Sequence, residues 1–305
     1  MIVWSGATFP RSKEGVAMLP SRFEYHRAST VEEALALLNR YADDAKVLAG
    51  GQSLIPLLKL RFAAPEHLVD VNPIGTLRGI AEDDGMLTIG ALTRHNELIR
   101  SEIVGRYPAI AAAAPQIADP LVRNLGTIGG SLAHADPAGD LGAVMLAMGA
   151  SVVLRSSSGE RTVPIEEFLV DTFTTTIAPN ELLTEVRVPT PTPRSGGTYL
   201  KLERKVGDFA TVAAAVTLTL DNGSIGRAGI GLTGVDSKNV HATDAESSLA
   251  GGAPSEDAFA EAGRLAAAAA HPVTDVRGTE TYKRHMIEVY VRRGLARSLQ
   301  MANAG

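Results

Sequence analysis

Two glycine-rich segments constrain this chain more than any other feature of its sequence. The first is Ala49-Gly50-Gly51-Gln52-Ser53-Leu54, and the second is Thr127-Ile128-Gly129-Gly130-Ser131-Leu132, which runs on to Asp136-Pro137-Ala138-Gly139-Asp140. Each segment places paired glycines beside a hydroxyl residue, a composition that exposes backbone N–H groups in a concave loop. Such loops hold phosphate, so two of them predict a site for the two ends of one extended anion. A dinucleotide pyrophosphate is the natural candidate.

Neither segment is a known phosphate motif by itself. The P-loop pattern G-x-x-x-x-G-K-[ST] is missing, which disfavours nucleotide hydrolysis of that kind. The pattern G-x-G-x-x-G has no well-placed match either, because Gly226, Gly229 and Gly231 lie in an alternating apolar run and are interpreted as strand glycines. One Gly-Gly pair is usually a simple turn, whereas two pairs with these flanks are far more specific.

Length, charge and cysteine content narrow the class of protein. The 305 residues suffice for two or three domains, and the net charge of −5 without a long basic run disfavours nucleic-acid binding. No apolar stretch reaches the roughly 18 residues of a spanning helix, so we expect no membrane span. Cysteine is absent, which excludes disulfides, thiol nucleophiles and a cysteine-ligated iron–sulfur cluster on this chain. The absence fits a cytoplasmic location.

Proline and glycine positions predict the domain organisation. Residues 1–17 lack the apolar core of a secretory signal and are expected to form a poorly ordered N-terminal extension. Pro189, Pro191 and Pro193, followed by Ser195-Gly196-Gly197, mark a domain boundary. We therefore predict one domain over 18–192, with α/β subdomains at about 18–73 and 74–192, and a second domain over 197–302.

Local patterns predict the main elements. In the first subdomain, Ser29-Thr30 ahead of Glu32-Glu33 indicates a capped helix between two strands, the second of which delivers the first glycine segment. In the second subdomain, we expect a hairpin across Asp83-Asp84-Gly85 and a helix capped by Thr93. The remaining expected elements are a helix over Ala109–Ile117, a second glycine loop, a helix around Leu141–Met148, strands Ser151–Arg155 and Arg161–Pro164, three strands within Tyr199–Gly234, and C-terminal helices Ser255–His271, Asp275–Tyr282 and Lys283–Met301.

Side chains around the second segment allow more than one chemistry. His134, Asp136 and Asp140, with Asp119 nearby, could form a metal site, but their spacing matches no established ligand pattern. Carboxylates after a glycine segment serve equally well as acceptors for the hydroxyls of a ribose or ribityl chain. No serine lies in a G-x-S-x-G elbow. We therefore predict a cofactor-binding protein with neither catalytic acid–base residues nor a metal site of its own.

Other polar residues leave alternatives open. The cluster Lys201, Arg204 and Lys205, followed by Gly207-Asp208-Phe209, is either a solvated strand end or a cation near a bound anion or electron-rich ring, with Phe209 as an aromatic wall. Six histidines stand alone in the sequence and are interpreted as structural: His26, His67, His95, His241, His271 and His285.

The two glycine segments, in this order, resemble those of the FAD-binding medium subunits of molybdenum hydroxylases, above all aerobic carbon monoxide dehydrogenase medium chains. Further stretches support the resemblance over about Met18 to the C-terminus: Phe23-Glu24-Tyr25-His26-Arg27, Ile117-Ala118-Asp119-Pro120, Asn180-Glu181-Leu182-Leu183 and Gly207-Asp208-Phe209-Ala210-Thr211. The resemblance implies an α+β fold. Its parts would be a two-subdomain FAD-binding domain of the vanillyl-alcohol-oxidase (PCMH) type and a C-terminal domain with a three-stranded antiparallel sheet and a helical bundle.

The same resemblance implies a cofactor site on this chain. Ala49, Gly50, Gly51, Gln52, Ser53 and Leu54 would hold the FAD pyrophosphate through backbone N–H groups, and Thr127, Ile128, Gly129, Gly130 and Ser131 would reach the same phosphates from the other subdomain. Asp140 would accept hydrogen bonds from the ribityl hydroxyls, Leu183 would pack on the isoalloxazine, and Lys201 would lie near its polar edge, where a positive charge favours the reduced flavin. Phe209 would lie beside the ring, and Ile117 would touch the adenine.

The resemblance further implies a division of labour among subunits. Substrate would react at a molybdopterin cofactor on a large subunit, and electrons would pass through [2Fe–2S] clusters on a small subunit to the FAD here and then to an external acceptor. The assembly would be a dimer of heterotrimers. Gln52 stands where histidine is common in carbon monoxide dehydrogenases, which argues against carbon monoxide as the substrate but not against FAD. The alternatives are a self-contained FAD-dependent oxidase or reductase, and a scaffold protein that has lost the cofactor.

Overall fold

The computed structural model describes residues 19–304. The expected N-terminal extension, residues 1–17, lies outside the described residues. The chain mixes helices with separate parallel and antiparallel sheets, and this arrangement confirms the α+β class. Within residues 19–304, no helix combines the length and the apolar character needed to cross a bilayer.

The first unit is a three-stranded parallel sheet with a helix after each of its first two strands. Its elements are β1 (Glu24–Arg27), α1 (Val31–Tyr41), β2 (Ala45–Leu48), α2 (Leu54–Lys59) and β3 (His67–Asp70), with strand order β1-β3-β2. The expected cap is present, because Thr30 Oγ1 accepts a hydrogen bond from Glu33 N at 3.1 Å and the Glu33 carboxylate accepts one from Ser29 N at 2.7 Å. Since the strands are parallel, the segments that follow β2 and β3 meet at one edge of the sheet.

The second unit is built on a five-stranded antiparallel sheet, ordered β4-β5-β10-β6-β7. Its elements are β4 (Ile80–Asp83), β5 (Met86–Gly90), α3 (His95–Arg100), α4 (Glu102–Gly105), α5 (Pro108–Ala113), α6 (Pro120–Leu125), α7 (Ile128–His134), α8 (Asp140–Met148), β6 (Ser151–Ser156), β7 (Gly159–Pro164), α9 (Ile165–Phe168), β8 (Leu169–Asp171), β9 (Thr174–Thr175) and β10 (Leu182–Pro189). The strands β8 and β9 form a separate two-stranded ribbon.

Three expectations for this unit are wrong. Thr93 caps no helix, because its Oγ1 donates to Gly79 O at 3.0 Å and α3 begins two residues later. The helix expected over Ala109–Ile117 ends at Ala113 and passes into a 3₁₀ turn at Ala114–Gln116, where Pro115 interrupts the α-helical hydrogen bonds. The second glycine segment, expected as a loop, is largely helical.

The third unit has an antiparallel sheet covered by helices. Its elements are β11 (Ser195–Leu202), β12 (Val212–Asp221), β13 (Ser224–Thr233), β14 (Val240–His241), α10 (Thr243–Leu249), α11 (Glu256–Ala268) and α12 (Glu280–Ala304). The three expected strands are present, and the two-residue β14 extends the sheet to four strands. The helix expected at Asp275–Tyr282 is wrong over its first five residues, where Asp275 and Gly278 exchange backbone hydrogen bonds in a turn. The single helix α12 begins at Glu280 and contains the helix expected at Lys283–Met301.

The helix α8 connects the second and third units. All nine of its residues are buried, and it packs against β12 and β13. Glycines on β13 permit this approach, since a Cβ added to Gly229 or Gly231 would overlap the carbonyl oxygen of Ala147 or Ala143 on α8. The first residue of this central helix is Asp140, so the packing fixes the position of that carboxylate.

Candidate cofactor site

The first glycine segment offers a run of unpaired backbone donors. It leaves the carboxyl end of β2 and enters α2, and Gly51 takes a positive φ of 71°, a conformation that favours glycine. None of the N–H groups from Gly50 to Ser53 donates a hydrogen bond to another residue within 19–304. Four consecutive donors without protein acceptors at a partly exposed turn are suited to an anion.

The second glycine segment lies against the first. A Cβ on Gly50 would overlap the carbonyl oxygen of Leu125 and lie 2.8 Å from Cα of Gly126, immediately before the second segment. A Cβ on Gly130 would lie 3.9 Å from Cβ of Ala49. The structure therefore brings together the two segments that are separated by more than seventy residues in the sequence.

The second segment presents its glycines on the first turn of α7. Thr127 is the N-cap, and its Oγ1 accepts from Gly130 N at 3.0 Å. The N–H groups of Ile128 and Gly129 donate to the carbonyl oxygens of Thr93 and Ala91, at 3.0 and 2.9 Å. Because these donors already have protein acceptors, a phosphate contact from this side would depend on close approach to the glycines and on the Ser131 hydroxyl. That contact stays a prediction.

Two polar side chains that were not predicted connect the segments. Asn72 Nδ2 donates to Ala49 O at 2.7 Å, and Arg94 donates to Asn72 Oδ1 at 2.6 Å. The same guanidinium also donates to Leu125 O. The signal for Asn72 was available in the sequence, because it follows β3 and the carboxyl ends of parallel strands share one edge of the sheet. Arg94 depends on a contact between distant segments, which no local pattern shows.

A buried polar group lies at the amino end of α8. Lys201 Nζ is 3.0 Å from Asp140 Oδ1, and Tyr199 Oη donates to the same oxygen at 2.6 Å. Lys201 also donates to Gln116 O at 3.0 Å. Burial raises the pKa of the Asp140 carboxyl, while Lys201 and Tyr199 oppose that rise. Burial and the neighbouring Asp140 raise the pKa of Tyr199 well above its ordinary value, so that hydroxyl stays a donor at neutral pH.

One carboxylate oxygen beside this group lacks a hydrogen-bond donor. Glu203 Oε2 is buried, makes no hydrogen bond within the described chain and lies 3.5 Å from Lys201 Nζ. A buried acceptor of this kind is costly unless a ligand or a water satisfies it. Together with Asp140, it fits a ligand that carries hydroxyl or imide N–H donors.

The basic cluster predicted from the sequence divides into two environments. The Lys201 side chain is only 1% exposed, whereas Arg204 and Lys205 are exposed and Arg204 pairs with Asp208 at 3.1 Å. The solvated-end interpretation holds for Arg204 and Lys205, whereas the position of Lys201 near a bound anion or ring stays a prediction. Phe209 is half exposed on the loop between β11 and β12 and offers an aromatic surface.

The remaining predicted residues vary in their fit. Gln52 folds back and donates to Gly50 O at 3.1 Å. Ile117 and Leu183 are both buried in the core of the second unit. Ile117 follows Gln116, the residue that contacts Lys201, and so lies near the residues expected around the flavin ring. Its contact with the adenine stays a prediction.

The metal interpretation of the second segment has no support. His134 stacks on Phe173 with ring centroids 4.8 Å apart, Asp136 accepts from Ala138 N, and Asp119 caps α6. Among the described residues, the group of ligand atoms that lie close enough for one ion is elsewhere, at Glu24, His26 and His67.

Comparison with known families matches nearly the whole chain. The model of the FAD binding domain in molybdopterin dehydrogenase matches residues 21–191, and the model of the CO dehydrogenase flavoprotein C-terminal domain matches residues 197–298. The chain is 44% identical to the carbon monoxide dehydrogenase medium chain of Hydrogenophaga pseudoflava, over 91% of this chain and 97% of that one. It is 42% identical to the alpha subunit of the 6-hydroxypseudooxynicotine dehydrogenase complex of Paenarthrobacter nicotinovorans, over 93% of this chain and 97% of that subunit.

Solved structures give the same result for the fold. Carbon monoxide dehydrogenase from Hydrogenophaga pseudoflava contains a chain that superposes with a TM-score of 0.90 at 45% identity, covering 92% of this chain and 99% of that one. Quinoline 2-oxidoreductase from Pseudomonas putida 86 contains a chain that superposes with a TM-score of 0.86 at 30% identity. The match covers 93% of this chain and 99% of that one.

Proposed function

The chain belongs to the family of FAD-binding subunits of molybdopterin dehydrogenases, and from that premise we propose that it is the electron-transfer subunit of a molybdenum-containing hydroxylase complex. It carries the FAD domain of an oxidoreductase. The proposal concerns what this domain is joined to, which residues hold the cofactor and where the electrons come from.

The observation that supports this site most strongly is that the chain offers both backbone donors without protein acceptors and buried carboxylate oxygens. The unpaired N–H groups of Gly50–Ser53 suit a pyrophosphate, and the buried oxygens of Asp140 and Glu203 suit donors of the ribityl chain and the ring. The N–H groups have no acceptor within residues 19–304. Glu203 Oε2 makes no hydrogen bond there and has only the 3.5 Å ion pair with Lys201, whereas the two Asp140 oxygens already accept from Tyr199 and Lys201. The residues present therefore fit FAD.

Each part of the chain has a distinct task in this proposal. Bound FAD supplies a group that accepts electrons and passes them to a second acceptor. Gly50, Gly51 and the first turn of α7 hold its phosphates, and Asp140 orients its sugar chain. Lys201 provides a buried positive charge near the ring, held in place by Asp140, and Phe209 covers one side from the loop after β11.

The sequence supports partner subunits for the other redox centres. The chain has no cysteine, so a conventional iron–sulfur cluster must be held by another polypeptide. We propose a small subunit with [2Fe–2S] clusters and a large molybdopterin subunit, assembled as a dimer of heterotrimers in the cytoplasm. The relatives' names support membership of a multichain complex, since they include medium chains and a lettered subunit of dehydrogenases.

In this proposal the large subunit binds the substrate and determines which substrate is oxidised. The relatives are named for carbon monoxide, 6-hydroxypseudooxynicotine and glyceraldehyde, although their medium chains share 34–44% identity with this one. One FAD scaffold thus serves complexes that act on chemically unrelated substrates. The medium chain therefore sets the route of the electrons rather than the choice of substrate.

The test is to purify the tagged chain from its source organism and to measure its subunit composition, its iron and molybdenum content and the flavin released by heat. We expect FAD, both metals and two further polypeptides, with substrate oxidation lost when the partners are stripped away. A lone chain that holds FAD and oxidises a soluble substrate at full rate would support a self-contained oxidase or reductase instead. A colourless chain that refuses added FAD would support the scaffold alternative.

A further inference from the structure

The pairing of β1 with β3 gathers three potential metal ligands on one face of the parallel sheet. Glu24 lies directly opposite His67 in the register of the two strands. His26 is two residues beyond Glu24, and alternate residues of a strand point to the same face. The ligand atoms of these three side chains all lie within 4.8 Å of one another.

The distances among these atoms fit a small divalent cation. His26 Nε2 and His67 Nδ1 are 3.0 Å apart, and Glu24 Oε2 lies 3.9 Å from the first and 3.6 Å from the second. A point equidistant from the three atoms is about 2.1 Å from each, which is the usual length of a zinc–nitrogen or zinc–oxygen bond. The two nitrogens share a hydrogen bond, so an ion would displace the shared proton and the rings would turn towards a common point.

The two imidazole rings are held in place by Tyr41 at the end of α1. The Tyr41 ring stacks on His67 at a centroid distance of 3.7 Å and on His26 at 5.0 Å. The histidine side chains are 19% and 15% exposed, whereas Glu24 is 72% exposed. Tyr41 thus fixes the two imidazole rings, and water can reach a bound ion from the side of the exposed Glu24.

We propose that Glu24, His26 and His67 bind one divalent transition-metal cation of the zinc class. Two imidazole nitrogens with one carboxylate suit zinc and its neighbours, whereas magnesium and calcium prefer sites made of oxygens. The histidines, which looked structural in the sequence, are 41 residues apart, and only the strand register brings them together.

This site is separate from the cofactor site and serves a structural purpose. Glu24 and His67 are the first residues of β1 and β3, whereas the first glycine segment follows the last residue of β2. In a parallel sheet these are opposite ends. The ion would tie the edge strand β1 to the central strand β3 and so stabilise the first unit against unfolding.

The experiment uses the full chain with FAD bound, stripped of metal with a chelator and titrated with zinc chloride by calorimetry. We expect one zinc ion per chain and a rise in Tm. His26→Gln and His67→Gln should each weaken zinc binding at least tenfold. The matched control is His285→Gln, an exposed histidine on α12, which should bind zinc as the unaltered chain does.

A further variant covers the case in which a histidine substitution prevents folding. Glu24→Gln alters an exposed side chain, so its metal-free Tm and flavin content should match those of the unaltered chain while its zinc affinity falls. The proposal is overturned if the unaltered chain binds no zinc. It is also overturned if Glu24→Gln and both histidine variants bind zinc with unchanged affinity.

Discussion

Lys201 Nζ lies 3.0 Å from Oδ1 of Asp140, and the two side chains are only 1% and 8% exposed. Asp140 begins α8 in the second unit, and Lys201 is on β11 in the third. The ion pair therefore joins two units at the proposed flavin site. Because both charges are buried, Asp140 depends on Lys201 for compensation, while Lys201 has Glu203 at 3.5 Å as a second carboxylate.

Replacing Asp140 with asparagine should lower both stability and FAD affinity. The substitution keeps the shape of the side chain but leaves the buried ammonium of Lys201 with less compensation, at a cost of about 3 kcal/mol in the free energy of unfolding. It also removes a charged acceptor from the proposed ribityl site, and FAD affinity should fall at least tenfold. Urea denaturation measures the first effect and quenching of flavin fluorescence measures the second.

The control for this prediction is Asp244→Asn, which removes an exposed carboxylate at the start of α10. It should leave FAD affinity unchanged and alter the free energy of unfolding by less than about 0.5 kcal/mol. If Asp140→Asn binds FAD with full affinity, the carboxylate has no part in holding the cofactor.

Gly50→Ala should destabilise the contact between the two glycine segments. The new methyl group would overlap Leu125 O and lie 2.8 Å from Cα of Gly126, and neither backbone atom can move without displacing the residues before α7. We expect a loss of about 1–3 kcal/mol in the free energy of unfolding, together with weaker FAD binding. Urea denaturation with and without FAD separates the two effects.

Gly75→Ala is the matched control for this substitution. Gly75 lies in a 3₁₀ turn between the first two units, its φ is not positive, and an added Cβ would meet no atom within 4 Å. The Gly75→Ala chain should have a free energy of unfolding equal to that of the unaltered chain or slightly higher. Equal stability of the Gly50 and Gly75 variants would show that the two segments do not depend on close contact.

The sequence predicted those parts of the fold that local patterns determine. The capped helix α1, the strands around it and the glycines of β13 follow from capping chemistry, periodicity and close approach, and the structure contains all of them. The paired glycines of the second segment predict a loop with exposed backbone N–H groups, but the segment is largely helical. Its helix is stabilised by Thr127 as the cap and by carbonyl acceptors on Ala91 and Thr93, which lie some thirty-five residues earlier.

The proposed cofactor site likewise contains residues that the sequence identified and residues that it did not. Asp140 and Lys201 were assigned from the family resemblance, and the structure pairs them. The bridging residues Asn72 and Arg94 were missed because their partners come from separate segments of the chain. Ile117 follows Gln116, whose carbonyl oxygen accepts from Lys201, and its contact with the adenine stays a prediction.

The stability of the chain should fall with acid because of His95. The side chain is buried between Arg94 and Arg123, and burial lowers its pKa from 6.5 to about 4, with both cations adding to the effect. As the pH falls below about 6.5, the unfolded chain binds a proton that the folded chain does not bind until about pH 4. The free energy of unfolding should therefore drop by about 2 kcal/mol between pH 7 and pH 5 from this residue alone.

The comparison variant for this prediction is His95→Leu, which has no proton to bind. His241 acts in the opposite direction because Glu246 and Glu166 raise its pKa, and His134 acts in the same direction because burial lowers its pKa. Those contributions cancel when the two chains are compared by urea denaturation at each pH. Equal pH dependence in the unaltered chain and the leucine variant would contradict the assignment.

Gly229→Ala should separate α8 from β13 and so weaken a site to which Gly229 itself makes no contribution. The added methyl group would overlap Ala147 O and lie 2.5 Å from Thr217 Oγ1, which donates to that same carbonyl. The helix must shift away from the sheet, and the shift moves Asp140 relative to Lys201. We expect a loss of about 1–3 kcal/mol in the free energy of unfolding and a measurable fall in FAD affinity.

The Gly229 variant tests whether the free energy of unfolding and the FAD affinity fall together. Gly105→Ala, at the end of α4 with no atom within 4 Å of an added Cβ, should change neither quantity by much. If Gly229→Ala loses stability but binds FAD with full affinity, then the position of α8 does not control the Asp140–Lys201 pair, or that pair does not contact the cofactor. A fall in both quantities means that close packing of α8 on β13 holds the buried carboxylate at the distance from Lys201 that cofactor binding requires.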